Sequence, residues 1–471
     1  MTDTQEFIAS LDTRIASLPP AWRNLLGSSG EVIITRAPGR LDLMGGIADY
    51  SGSLMLPWPI QSATHVAAQR RPGKALRIAS VAAETDRAPR LFEIDLDELR
   101  AVDFAGLLAR FKQDPDSHWA AYVAGAFPVL MRERNVSFDN AADILIQSAV
   151  PEGKGVSSSA AIEVASMQAV AAAYELKISP TELALWCQMV ENLIAGAPCG
   201  VMDQMTSACG EANRLLELLC QPAQLRGTIE LPAELEIWGL DSGIRHSVGG
   251  GDYGTVRTAA FMGYRIIADL AGLTAIQSQG KVIIDDPRWH GYLANIAPEE
   301  FERLYSPHVP SRMSGRDFLD RYEGITDTVT SVNPATEYPV LAATRHPIYE
   351  HARVSEFAAI LKNWKGADQA PRLGELMYQA HESYSNCGLG SEGTDLLVKL
   401  VQDSAGRRLW GAKITGGGSG GTVAVLARRG ASAAVDEVAH RYHEQTGYQP
   451  QIISGSSSGA DAFGYLRIPR R

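Results

Sequence analysis

Cysteine is scarce in this 471-residue chain: five, at Cys187, Cys199, Cys209, Cys220 and Cys387. None forms a C-x-x-C pair and no histidine pair sits at zinc-finger spacing, which leaves little support for a structural metal site. Positive charge is also in deficit. Lys plus Arg is 43 against 54 for Asp plus Glu, a formal net charge of −11, the wrong sign for a general nucleic-acid binder. No apolar run reaches the ~18 residues that a membrane span needs. The N-terminus, MTDTQEFIASLDTRI, starts acidic and lacks an apolar h-region, so a secretory signal is not expected. An odd, scattered set of thiols then fits a reducing cytoplasm, and the sequon Asn135-Val136-Ser137 is a chance match. Aromatics make up only 7% of the residues, but 45% are hydrophobic. That is enough for a sizeable core and excludes a disordered chain.

The length suggests two domains, with no repeats and no low-complexity linker. Phe7, Leu11, Ile15 and Leu18 stand at helical spacing before Pro19-Pro20 breaks the pattern. Residues 31–40 (EVIITRAPGR) read as a strand entering a loop. Residues 56–69 read as strand, and so do residues 141–150, which end at Pro151. A helix follows with Val164, Met167, Ala171 and Tyr174 on one face. Ser179-Pro180-Thr181-Glu182 is a capping box with Pro at the first helical position. That helix buries Leu183, Val190 and Ile194 and ends at Gly196. Residues 231–242 are strand-like. Strands over 410–415 and 422–426 flank six residues, five of them glycine. The irregular mixture of strands and helices argues for an α+β architecture over a doubly wound sheet. Residues 275–345 read as irregular, polar decoration of the second domain.

Three segments carry chemistry. In VPEGKGVSSSAA (150–161) a strand runs into Gly-x-Gly and three serines, and a helix follows. Helix N-termini offer free N–H groups and glycines let a phosphate approach the backbone. The segment therefore fits a phosphate loop, or simply a serine-capped helix after a tight turn. It is not a Walker A loop, because Gly-Lys-Ser/Thr occurs nowhere in the chain. In KITGGGSGGT (413–422), Gly416, Gly418 and Gly421 match G-x-G-x-x-G, but a strand-like stretch follows where a dinucleotide fold needs a helix. This turn either lines a phosphate from the opposite side or packs closely between strands. In VENLIAGAPCGVMDQ (190–204), Glu191 near a helix end and Asp203 in the loop beyond suit a magnesium ligand and a group that orients or deprotonates a hydroxyl.

Together with APGRLDLMGGIADYSGS (37–53), these segments resemble the three motifs of the GHMP small-molecule kinases, in matching order and separation. CGVMDQ and DSGIRHSVGGGDYGTVR (241–257) are similar to galactokinase segments. Within that branch MGGIADYSGS, TRHPIYE and SYSNCGLGSEGTDLLV look like the kinase part of L-arabinokinases. Where galactokinases usually read Gly-Glu-His-Thr-Asp-Tyr, this chain has Gly45-Gly46-Ile47-Ala48-Asp49-Tyr50. L-Arabinopyranose matches D-galactopyranose in its ring but lacks the exocyclic CH₂OH. A glutamate that served that hydroxyl would lose its partner, at about 1–3 kcal/mol for a buried polar group. Gly46 and Ile47 remove the problem, so the resemblance implies a pocket fitted to a pentose.

The resemblance further implies a two-domain GHMP kinase fold. An N-terminal α/β domain (1–236) carries the phosphate loop, and a ferredoxin-like C-terminal domain (237–471) completes a cleft, its last strand returning to the first domain. ATP and Mg²⁺ are the implied cofactors and a small sugar the implied partner, with no nucleic acid or membrane. Asp203 would orient the anomeric hydroxyl, with Arg40 beside it offsetting developing charge. Gly153, Lys154, Gly155, Val156, Ser157, Ser158 and Ser159 would wrap the ATP phosphates. Ser159 (or Ser158) and Glu191 would hold the metal. Asp42, Gly46, Ile47, Asp49 and Tyr50 would form one side of the sugar pocket, and Tyr253, Gly417 and Gly418 another. Trp58, Trp119 and Tyr122 are candidates to border adenine, and His246 is a positioning residue. The implied reaction is transfer from ATP to the anomeric hydroxyl of L-arabinose. A galactokinase with a modified pocket and a non-catalytic sugar sensor are the alternatives. The complete set Arg40, Glu191, Asp203 and Ser157–Ser159 favours the enzyme.

Overall fold

The computed structural model describes residues 2–82, 88–245, 251–278, 281–404 and 408–470. The first sheet is built on two long antiparallel strands, β1 (Gly30–Met44) and β2 (Leu54–Arg71). Then come β3 (Ala75–Ala82), β4 (Arg90–Asp95), β5 (Ala141–Ser148), β6 (Arg214–Leu219) and β7 (Gln224–Glu230). β5 joins β2 antiparallel and β3 parallel, and β6 extends β2 at its start. The chain's last strand, Leu466–Arg470, pairs antiparallel with β1 along its opposite edge.

The sequence pattern ends the first strand at Arg40, yet β1 continues through the Pro-Gly step to Met44. Proline cannot donate to the ladder, and the register slips between Pro38 and Arg40 and again between Asp42 and Met44. Such bulges re-aim side chains. They turn Arg40 toward the phosphate loop, and its N–H donates to the Val156 carbonyl at 3.1 Å. The helix Ser158–Ala173 packs on β1 and β2 through Ala161, Ala165 and Ala169. Its small side chains let the Thr35 hydroxyl of β1 reach the Ala165 carbonyl at 2.7 Å.

The second sheet is fully antiparallel, in the order Leu409–Ile414, Thr422–Arg428, Leu235–Asp241, Ile452–Ser454. Helices Glu392–Asp403 and Ser432–Thr446 share a core with this sheet around Val401, Val423 and Val438. Leu426 and Ile453 also join Leu41, Leu43 and Leu56 of the first sheet in one apolar cluster.

The stretch 275–345 is more ordered than its polarity suggests. It contains two small two-stranded antiparallel sheets and the helices Pro298–Leu304 and Gly315–Tyr322. The latter is capped by Ser314, whose hydroxyl accepts from the Asp317 N–H. Phe301, Tyr305 and Phe318 pack with the helices Gly251–Leu270 and Val340–Lys362 in a third cluster. Elements this short leave no sustained periodicity in the sequence.

Candidate functional site

One cleft gathers Arg40, Ile47, Asp49, Gly153, Gly155, Ser157–Ser159, Glu191, Asp203, Tyr253 and Gly417. Five segments far apart in sequence therefore meet there.

At its centre Arg40 clasps Asp203 through one edge of its guanidinium, Nε to Oδ1 at 2.9 Å and Nη2 to Oδ2 at 2.9 Å. The third nitrogen, Nη1, donates to the Gly155 carbonyl at 2.7 Å, which ties the pair to the phosphate loop. Arg40 is 3% exposed. Burial opposes its charge, but Asp203 and then Asp42 raise its pKa. Asp203 lies in the first turn of the helix Met202–Cys209. Its Oδ2 also accepts from Ser157 Oγ at 2.5 Å. Ser157, expected at phosphate, thus bonds to the carboxylate here. It occupies the left-handed region (φ 61°) at the head of the 16-residue helix Ser158–Ala173, whose N-terminus opens into the cleft.

Glu191 stands where the helix Pro180–Val190 widens into a π-helical turn, Glu191–Ala195. It is buried, and burial followed by the charge of Asp203 pushes its carboxyl up to about 7. Ser159 lies beside it and opposes that rise. Gln204, which the sequence did not single out, donates Nε2 to Glu191 Oε2 at 2.5 Å and to Glu163 Oε2 at 3.1 Å. Burial, then Glu191, raises the pKa of Glu163 well above the usual range. Serine and carboxylate oxygens suit a hard cation. Among the described residues no three His, Cys, Asp or Glu gather as a cage. An ion here would therefore rest on Glu191, Ser159 and phosphate oxygens, and the residues present fit that arrangement.

The rest of the cleft wall contains Ile47, Asp49, Tyr253 and Gly417, joined by Pro198, Cys199, Gly200, Met202 and Gly416, which the motifs did not flag as contacts. Asp49 is buried, and burial followed by the charge of Asp203 pushes it up to about 6. Ile47 holds φ 51°, an uncommon conformation for a β-branched residue.

Several expected residues lie outside the cleft lining. Asp42 is fully buried, with Oδ2 3.1 Å from Lys413 Nζ and 3.3 Å from the Tyr384 hydroxyl. The two register slips around it turn its carboxylate into the core. Gly46 does not line the cleft either. A Cβ there would stand 1.6 Å from the Tyr384 hydroxyl and 2.0 Å from Asp42 Oδ2, and the Gly46 carbonyl meets His346 Nε2 at 2.8 Å. Tyr50 sits behind Tyr253, the rings edge to face at 5.9 Å. Lys154 pairs with Asp241 and donates to the Tyr448 hydroxyl at 2.9 Å. Val156 is a core residue, and Gly418 packs against Leu389. Trp58 belongs to the inter-sheet core, while Trp119 and Tyr122 pack on the first-sheet core. His246 lies outside the described residues.

Comparison with known proteins follows the same lines. Residues 121–211 match the GHMP kinases N terminal domain, and residues 21–70 match the galactokinase galactose-binding signature. The chain is 46% identical over 489 aligned residues to an L-arabinokinase of Arabidopsis thaliana, covering 94% of this chain and 47% of that protein. It therefore spans about half the length of that relative. It is 29% identical to a galactokinase of Chloroflexus aggregans over 83% of both chains. Among solved structures, Lactococcus lactis galactokinase complexed with galactose matches with a TM-score of 0.71 at 22% identity, covering 96% of this chain and 99% of that one. That match establishes the fold.

Proposed function

We propose, from its matches to the GHMP kinases and to an L-arabinokinase, that this chain is a GHMP kinase that transfers the γ-phosphoryl group of ATP to the anomeric hydroxyl of L-arabinose, giving β-L-arabinose 1-phosphate. The observation that carries this reading is the meeting of the Arg40–Asp203 pair, the serine-headed helix and the Asp49–Ile47 wall in one cleft. The identity to the plant L-arabinokinase supports the pentose. The match to the galactose-binding signature makes D-galactose the second reading.

In this reading the N-terminus of the helix Ser158–Ala173 and the glycines before it receive the ATP phosphates, whose charge the helix dipole favours. Asp49 and Tyr253 hold the ring hydroxyls. Asp203 accepts the hydrogen bond of the anomeric hydroxyl. As that oxygen attacks the γ-phosphorus and the bond to the β-phosphate oxygen breaks, the hydroxyl proton passes to the carboxylate. Arg40 keeps Asp203 in place and lies beside the charge that develops. Glu191 and Ser159 would hold a divalent cation, which when bound offsets charge on the phosphate oxygens. We place the division between the two domains near residues 236–237. The five unpaired cysteines support a cytoplasmic setting, and no helix among the described residues is long and apolar enough to cross a membrane.

The test is an ADP-release assay with L-arabinose, D-galactose and D-fucose side by side. L-Arabinose should give the highest kcat/KM. A preference for D-galactose would leave only a sugar 1-kinase.

A further inference from the structure

We propose that residues 286–338, part of the stretch 275–345 that the sequence presents as decoration, hold the sugar-facing wall of the cleft in place, with Asp327 acting through Arg257 as the positioning pair. The inference rests on the sugar-kinase reading and names what fixes its sugar site.

Arg257 lies one helical turn after Tyr253 on the helix Gly251–Leu270. Its Nε and Nη2 each reach an oxygen of Asp327 at 2.8 Å. The two side chains are 7% and 3% exposed. The remaining nitrogen, Nη1, donates to the Cys199 carbonyl at 2.9 Å, and the guanidinium lies over the Tyr50 ring at 5.4 Å from its centroid. One cation thus touches three parts of the wall: the loop before Asp203, the residue after Asp49, and the helix that presents Tyr253. Arg257 stands behind these groups and does not line the cleft. Asp327 is itself braced by the N–H groups of Val329 and Thr330 and by the Thr330 hydroxyl at 2.7 Å. The same segment makes a second contact at the end of the first motif. The Tyr292 ring occupies the space a Gly52 side chain would need, and Gln221 Nε2 bridges the Gly52 carbonyl and Asn295 Oδ1, both at 2.8 Å.

A buried ion pair is weak evidence of stability, because desolvation offsets its attraction. What this one supplies is geometry: a planar fork of three directed bonds, which lysine cannot reproduce.

The experiment measures steady-state kinetics and melting temperature for Asp327→Asn, Asp327→Glu, Arg257→Lys and the double variant Arg257→Lys/Asp327→Asn, with ATP and the aldose the wild type uses best. The expected result is a sugar KM raised about tenfold or more in Asp327→Asn, with the ATP KM within about twofold and kcat reduced less than the sugar KM rises. Asp327→Glu should recover part of the loss, and the double variant should be no worse than the poorer single. If Asp327→Asn fails to fold, the same sugar-to-ATP split in Arg257→Lys, which retains the cation, decides. A folded variant with an unchanged sugar KM, or with both KM values raised alike, overturns the proposal while leaving the sugar kinase standing. A wild type that phosphorylates no aldose overturns both.

Discussion

Asp203 receives two N–H groups along one edge of the Arg40 guanidinium and the Ser157 hydroxyl at once. A carboxylate held from three directions cannot swing, so its remaining lone pairs face a fixed point in the cleft. Asp203→Asn is nearly isosteric and leaves Arg40 its bond to the Gly155 carbonyl. The variant should fold with a modest drop in melting temperature and bind ATP and sugar, as titration calorimetry would record. Turnover should fall by about 10²–10⁴. A variant above about a tenth of wild-type turnover would show that another group orients the hydroxyl.

Glu191→Gln should cut turnover far more than it weakens sugar binding. In the proposed reading the lost charge would act on the phosphoryl oxygens, whereas Asp49 and Tyr253 would hold the sugar. The new amide would also face the Gln204 Nε2 that now donates to Glu191, so its own oxygen must turn toward that donor. Turnover matching wild type at saturating Mg²⁺ would remove Glu191 from the site.

Sugar use should depend on pH through Asp49. Burial and the neighbouring Asp203 raise its carboxyl to about 6, so it takes up a proton as the pH falls through that value. Protonation removes an acceptor for sugar hydroxyls. The kcat/KM for sugar should therefore decline below about pH 6, on top of the fall that protonation of Glu191, raised to about 7, produces through the metal and ATP. Asp49→Asn should be poorer at neutral pH and lose this limb of the profile. If the limb persists in that variant, the titrating group lies elsewhere.

These residues were legible in the sequence to very different degrees. The phosphate loop announces itself, because a strand, two glycines, three serines and a helix follow one another within 12 residues of chain, 150–161. Arg40, Glu191 and Asp203 stand in equally local motifs, and the cleft contains all three. The partners that hold these motifs leave no local signature. Asp327 meets Arg257 across 70 positions, and Lys413 meets Asp42 across 371. Asp42 and Gly46 lie off the cleft for a related reason. Their motif reads as sugar-facing throughout, but two bulges and the incoming Tyr384 decide which side chains reach the cleft. The segment 275–345 escaped because its elements are too short to show a period.

Specificity should turn on Ile47 rather than on Gly46. The sequence suggests that both replace polar groups that would serve an exocyclic hydroxyl. In the structure only Ile47 lines the cleft, while the Tyr384 hydroxyl and Asp42 fill the space beside Gly46. Gly46→Glu should therefore not restore a galactose contact. Its side chain must displace Tyr384 and Asp42, and the expected outcome is a large loss of melting temperature and of activity on every sugar. Ile47→Gly tests the wall directly. The backbone there is left-handed, where glycine sits without strain, so the change removes volume and leaves the loop geometry intact. L-Arabinose use should fall as the apolar contact is lost, and D-galactose and D-fucose should both gain relative to it. D-Fucose ends in a methyl group where D-galactose carries CH₂OH, so it separates volume from desolvation. If volume excludes the hexose, wild type should reject D-fucose about as strongly as D-galactose, and Ile47→Gly should relieve both alike. If burying the hydroxyl is the obstacle, D-fucose should fall between the other two sugars. An apolar wall rejects an added hydroxyl by only about 10², so measurable galactose activity is expected in the wild type. An Ile47→Gly enzyme whose ratio of D-galactose to L-arabinose kcat/KM equals that of wild type would place the specificity wall elsewhere in the cleft.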